Sequence, residues 1–314
     1  LHTGGGINSP RPASQRAAAF ILTAAMLTTL AAPAFAGTWS IEDGDITISA
    51  GETGNDVTQK GTTTKNDTGT IITGTSNENT VTIDTSKGNV DVTFDDLKID
   101  TSSRSEAAVS VTGKGDTNIE LDGSNKLQSG RDHAGLEHNK TDTSGKLTIQ
   151  DENNDGSLNA TGGLHGAGIG GGMSKDGQAT ITGGTITANG GKLASGIGGG
   201  AGSRIGKIIG SGDVEITGGT ITATGNNGGA GIGGGLSGDG NVRISGGTII
   251  SAVSDGSDYG GAGIGGGYYG DGRVTITGDA VIEEAQGGIQ SAGIGGGQGA
   301  DGVVEISGNA RIDK

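Results

Sequence analysis

Cysteine is absent from this 314-residue chain, so no disulfide carries its stability. Aromatic side chains are nearly absent too: one Trp, three Tyr and three Phe make up 2% of the residues. An ordinary globular core of this size draws on many such residues and on Leu, and this composition does not supply it. Positive charge is in deficit, with 20 Lys and Arg against 35 Asp and Glu. A phosphate backbone is neutralised by Lys and Arg, so nucleic acid is excluded as a partner. No apolar run reaches the ~20 residues of a membrane-spanning helix. What the chain has instead is glycine, 70 residues of it, roughly three times the ordinary share of about 7%. Ile, Val and Thr recur regularly among the glycines, which separates the chain from disordered sequence. A stack of units, each needing only one or two inward aliphatics, fits both facts.

The first 36 residues read as an export signal. Arg11 and Arg16 precede an uncharged apolar run from Ala17 to Ala32, and Ala34-Phe35-Ala36 is a small-x-small cleavage site. The expected location is secreted or cell-surface in a bacterium, with no integral membrane segment once the signal is removed. Removal takes away two arginines and no acid, leaving 18 basic and 35 acidic residues, a net charge of −17. Such a balance suits cations or a solvated surface.

The rest is repetitive. The motif Gly166-Ala167-Gly168-Ile169-Gly170-Gly171-Gly172 returns around Ile197, Ile232, Ile264 and Ile294. A second motif carries Ile181, Ile216, Ile244, Ile276 and Ile306, and a third follows, as in Thr185-Ile186-Thr187-Ala188. Three motifs keep their order five times at spacings of about 30 residues, the mark of a solenoid, propeller or array. Weaker copies run upstream through Leu136, Leu147 and Leu158, through Val109, Ile119 and Leu127, and through Val81, Val92 and Ile99. Alternating polar and apolar residues, rich in Thr, Val and Ile and bounded by Gly, read as short strands. The expected fold is an all-β, single-stranded parallel β-helix. Residues 70–314 supply its repeats, and residues 37–69, with Ile46-Thr47-Ile48, supply a first coil and cap. A propeller blade would want four antiparallel strands and a longer repeat. The GIGGG glycines are read as architecture, because glycine in regular structure costs roughly 0.5–1 kcal/mol relative to Ala. The backbone there needs positive φ, or neighbouring coils leave no room for a Cβ. No Lys-Ser/Thr follows to make a phosphate loop.

Runs of the type GAGIGGG…DGxVxITGGTITA resemble secreted, glycine-rich β-helical repeat proteins of anaerobic bacteria. The stretch from Val92 through Asn118–Leu121 to Leu147–Ile149 is similar to the carbohydrate-binding domain of that family. The resemblance covers roughly residues 80–314. It implies a right-handed helix, a cell-surface or secreted location, and calcium-assisted binding of acidic plant polysaccharide.

Three sets of residues are candidate sites. Asp176, Asp239, Asp271 and Asp301 each lie five residues before the second-motif Ile, and Ser211 holds that place in the remaining copy. Stacked coils put these carboxylates in one column, where like charges ~4.8 Å apart repel by about 0.9 kcal/mol in bulk water. A bound Ca²⁺ reverses that sign; Asp-Gly as a plain turn pair is the other reading. The calcium-binding nonapeptide pattern fits once, at Gly296–Val304, and the other copies break it. Tyr259, Tyr268 and Tyr269 fall in one coil and suit stacking on a sugar ring, or simply packing over a turn. His133, His138 and His165, near Asp132 and Glu137, form an irregular polar cluster without metal-ligand spacing, and are expected to be exposed loop histidines.

The function expected from these features is non-catalytic polysaccharide or host-glycan binding. A structural or adhesin stalk is the alternative. A polysaccharide lyase or glycosidase is further off, because the acids repeat with the coil rather than pairing once. An ice-binding face is disfavoured, since the column Thr180, Glu215, Arg243, Thr275, Glu305 is charged and uneven. The chain stops at Lys314 in a third-strand slot with no polar cap, so further repeats, a cap and an anchoring module are expected beyond it.

Overall fold

Residues 36–202 and 209–314 are described by the computed structural model. The export signal read over residues 1–36 falls, but for Ala36, outside them. The alternating Ile, Val and Thr segments form strands, and the strands of successive repeats pair in parallel and in register. The first motif makes one column from Ile46 through Val81, Val109 and Leu136 to Ile169. It continues through Ile197, Ile232 and Ile264 to Ile294. Nine turns of a parallel β-helix result, each about 30 residues long. The one helical segment among the described residues is a short 3₁₀ turn, Ile41–Asp43.

Each turn has three strand slots. In turn five these are Ile169–Gly170, Gly177–Ile181 and Thr185–Lys192. In turn seven they are Ile232–Gly233, Gly240–Ile244 and Thr248–Asp255. Strand period two sends one set of side chains inward and the other out. Val214 and Ile216 are fully buried, and Val242 and Ile244 stack directly on them. Burying such a side chain stabilises by about 1.5–3 kcal/mol, which lets an aromatic-poor chain fold by repetition. The core of the earlier turns includes Phe94, Leu97, Leu121 and Leu127, while that of the later ones is built of Ile, Val and Ala.

The glycines are required twice over. Gly233 has φ +133°, outside the range of L side chains, and a Cβ there would collide with the carbonyl of Gly265 one turn on. The matching glycines Gly170, Gly198, Gly265 and Gly295 have φ between +127° and +135°. Positive φ and close approach of coils therefore both operate, at the corner following the inward Ile.

The first turn is closed differently. Asn55–Gln59 runs antiparallel to Ile46–Ala50 and to Thr62–Asp67, so a hairpin covers the free edge of the first strand column. Thr38–Ser40 lies parallel on Ile71–Ser76.

Candidate functional site

The Asp-Gly pairs bend the chain into the second strand of each turn, and stacking aligns them into one ladder. Oδ1 of Asp239 accepts the backbone N–H of Asp271 at 2.8 Å, and Oδ1 of Asp271 accepts that of Asp301 at 2.9 Å. Asp176 accepts from Gly210 and Ser211, each at 2.8 Å, and Ser211 Oγ accepts from Asp239. Asp176, Ser211, Asp239 and Asp271 thus each satisfy a donor of the next turn with one oxygen. No three His, Asp or Glu side chains among the described residues are placed to hold a metal ion. The ladder alone does not form a metal cage, and a cation on it would need ligands from elsewhere.

Beside the ladder runs a groove of about 850 Å³ spanning turns five to nine. Its floor is the outward column of the second strands, in which Gln178, Asp213, Asn241 and Arg273 stand in register. Asp213 is the hub. It receives Lys140 Nζ at 2.6 Å, Arg243 Nη2 at 3.0 Å and Asn241 Nδ2 at 3.0 Å. Burial alone would raise its pKa; the hydrogen bond and charge of Lys140, with those of Arg243, outweigh this and hold the carboxyl below its ordinary range. Lys146 and Arg273 also line the groove, and their side chains have no hydrogen-bond or ion-pair partner among the described residues.

Lys140 and Lys146 belong to a loop that breaks the repeat. Turn four leaves its first strand at His138 and re-enters at Leu147. The intervening segment is fastened to later turns: Lys140 N–H donates to Asp176 O at 2.8 Å, and Asn139 Oδ1 accepts from Gly172 N–H at 2.9 Å. At the loop's far end Gln178 Oε1 accepts from Leu147 N–H at 2.7 Å. The loop forms the wall of the groove on the turn-four side. Sequence periodicity does not reveal it, because a contact such as Lys140–Asp213, 73 residues apart, has no periodic signature.

The three tyrosines do come together. Ring centroids are 4.9 Å apart for Tyr259–Tyr268 and 4.1 Å for Tyr268–Tyr269. Tyr268 is buried, while Tyr269 is 57% exposed and so presents the accessible ring. Tyr269 has φ +60°, a conformation that costs a bulky L residue roughly 1–2 kcal/mol. Ser174 and Ser237 occupy the same place with φ +58° and +61°. The tyrosines do not line the groove; Tyr268 and Tyr269 immediately precede Gly270 and Asp271, and Tyr269 lines a neighbouring hollow with Asp271 and Asp301.

The histidines divide. His133 Nδ1 meets Glu137 Oε2 at 2.9 Å and His165 Nδ1 meets Asp132 Oδ1 at 2.9 Å, two half-buried pairs on the corner of turns four and five. His138 corrects the expectation of exposed loop histidines. It is 2% exposed and donates Nδ1–H to Gln178 O at 3.0 Å. Burial pushes its pKa below the usual value, against the opposing hydrogen bonds of Gln178 and Gly145. Its strand begins like the others at Leu136 but runs a residue longer than the later two-residue strands, and that residue is buried against Gln178 and Gly145.

Comparison with known proteins bears on the architecture. Residues 154–173, 180–201, 214–236, 242–268 and 274–298 match the family model described as a beta helix repeat. No curated protein and no solved structure matches the chain. The matched segments fall on the turns whose strands stack in register, and the chain is accordingly a β-helical repeat protein.

Proposed function

We propose that this solenoid is an exported, non-catalytic module that binds acidic polysaccharide along the groove of turns five to nine. The observation that carries the reading is the groove itself, lined mostly by polar and charged residues, in which the side chains of Lys146 and Arg273 have no partner among the described residues. A carboxylate-bearing saccharide supplies the acceptors these cations lack. Its hydroxyls match the Asn, Gln and Thr side chains of the floor, and Tyr269 offers a ring face in the neighbouring hollow. The acids of the groove argue against catalysis. Asp213 is held ionised by Lys140 and Arg243, so it is no general acid near neutral pH, and the carboxylates of Asp176, Asp239 and Asp271 accept backbone N–H groups. Calcium enters as a bridge between the second oxygens of Asp239 and Asp271 and carboxylates of the polysaccharide, which would complete the shell the protein lacks.

A glycan array probed with the mature chain, with and without calcium, tests the reading. Binding to uronate-containing polymers that Arg273→Ala weakens is the expected result. Absence of binding to any acidic glycan under both conditions overturns it and leaves a structural stalk as the function.

A further inference from the structure

On the turn-four side the groove is bounded by the 139–146 loop. Its floor advances by one side chain per turn, from Gln178 through Asp213 and Asn241 to Arg273, at ~4.8 Å per step. A polymer lying along this column meets the 139–146 loop on the turn-four side. Thr141, Asp142 and Ser144 of that loop line the groove together with Lys140 and Lys146. The loop is anchored at several points along its length. Asn139 is bound to Gly172, Lys140 N–H to Asp176 O, Lys140 Nζ to Asp213, and Lys146 N–H to Asp116 Oδ1 at 2.8 Å. The Lys140 backbone bonds to turn five, and its side chain reaches past it to turn six to make the ion pair. Behind the loop is a separate hollow of about 520 Å³, and Thr141 and Ser144 line both spaces. The loop is therefore the partition between two cavities.

We infer that the groove recognises the free end of an acidic polysaccharide chain rather than its interior. The inference rests on the proposed polysaccharide reading and sharpens it. The terminal residue abuts the wall at Lys140 and Lys146, and the following sugars lie over Asn241 and Arg273. Lys146 is the cation at the stop, its side chain without a partner among the described residues. A chain passing straight through would have to displace the Lys140–Asp213 pair. That pair is half-exposed on the lysine side, with the Asp213 side chain 22% exposed, and three donors converge on the carboxylate.

Binding stoichiometry against chain length decides the matter. High-mass polygalacturonate and short oligogalacturonates are titrated into the full chain, with affinity expressed per molecule of saccharide. End recognition gives an affinity per molecule that is flat with length once the groove is filled, since each chain has one matching end. Interior recognition gives an affinity per molecule that rises in proportion to length, and that result overturns the inference while leaving the polysaccharide reading intact. Failure of both probes to bind overturns both. Lys140→Ala provides the second arm. It removes one anchor from an exposed loop and leaves the β-helix paired, and circular dichroism verifies the fold. Freed from Asp213, the loop yields, and binding of high-mass polygalacturonate is expected to become length-dependent by several-fold. A variant that keeps the length profile of the parent shows that the wall does not set the register, and counts against the inference.

Discussion

The indole of Trp39 donates Nε1–H to Oδ2 of Asp67 at 2.7 Å, and the other oxygen of that carboxylate accepts the backbone N–H of Gly37 at 2.9 Å. Asp67 is 1% exposed. It ends the hairpin that covers the first strand column, so one buried carboxylate ties the start of the described chain to the cap. Asp67→Ala leaves the indole and the backbone amides of Gly37 and Gly69 without this acceptor, at a cost of about 1–3 kcal/mol for a group left buried and unsatisfied. The expected outcome is a lower melting temperature and a red-shifted Trp39 emission. Unchanged emission would show that the clasp is not formed in solution.

Acid should weaken the fold through His138. Its folded pKa lies below that of the free side chain because burial disfavours the imidazolium. The unfolded chain therefore takes up the proton first, and stability is lost as pH falls below about 6.5, by at most about 1.4 kcal/mol per pH unit. Chemical denaturation between neutral and mildly acid pH measures this. His138→Gln should flatten the profile in that window; an equally steep profile in the variant assigns the slope to other groups.

Gly233 and Gly61 separate strain from space. Both have positive φ, but an added Cβ meets nothing within 4 Å at Gly61, whereas at Gly233 it strikes the carbonyl of Gly265. Gly61→Ala should cost roughly 1–2 kcal/mol, the left-handed penalty alone. Gly233→Ala should cost several-fold more or prevent folding, because two backbones must part. Equal losses in thermal melts would mean that the close approach is relieved by a small shift.

Asp239→Asn with Asp271→Asn isolates the charge of the ladder. Asparagine keeps Oδ1, so the backbone N–H bonds to the next turn survive while like-charge repulsion of about 0.9 kcal/mol in water disappears. Without calcium the double variant should melt no lower than the parent. With millimolar calcium and an acidic glycan the parent should gain stability and the variant should not. An identical gain in both places the cation elsewhere.

Tyr269 accepts backbone strain to present its ring. Tyr269→Asn suits φ +60° better and should hold stability within about 1 kcal/mol of the parent. Glycan affinity should fall several-fold, as read by calorimetry. Unchanged affinity would confine recognition to the groove floor.

The repeating part of this architecture was legible. Ile197, Ile232 and Ile264 announce themselves by recurrence, and their strands stack as the spacing requires. The tyrosine cluster was legible too, since adjacency in a repeat means adjacency in space. Features that happen once were not. The Trp39–Asp67 clasp, the Lys140–Asp213 pair and the burial of His138 each depend on a local departure from the period, and one sequence gives such contacts no echo. The groove was hidden for a related reason. It is made of outward residues, which the repeat leaves free to vary, so Gln178, Asp213, Asn241 and Arg273 share a column but no chemistry.

The hydrogen-bond ladders that join one turn to the next have a mechanical consequence. They lie along the axis of the stack, so a pull along that axis loads them in tension one turn at a time, like the teeth of a zipper. A pull across the axis loads many of them in shear at once. With no disulfide to bypass a failed turn, the module should pay out length in steps of about one repeat under axial load and resist as a block under lateral load. The bonds that cross more than one turn boundary, such as Lys140 to Asp213, are the places where such unzipping should pause.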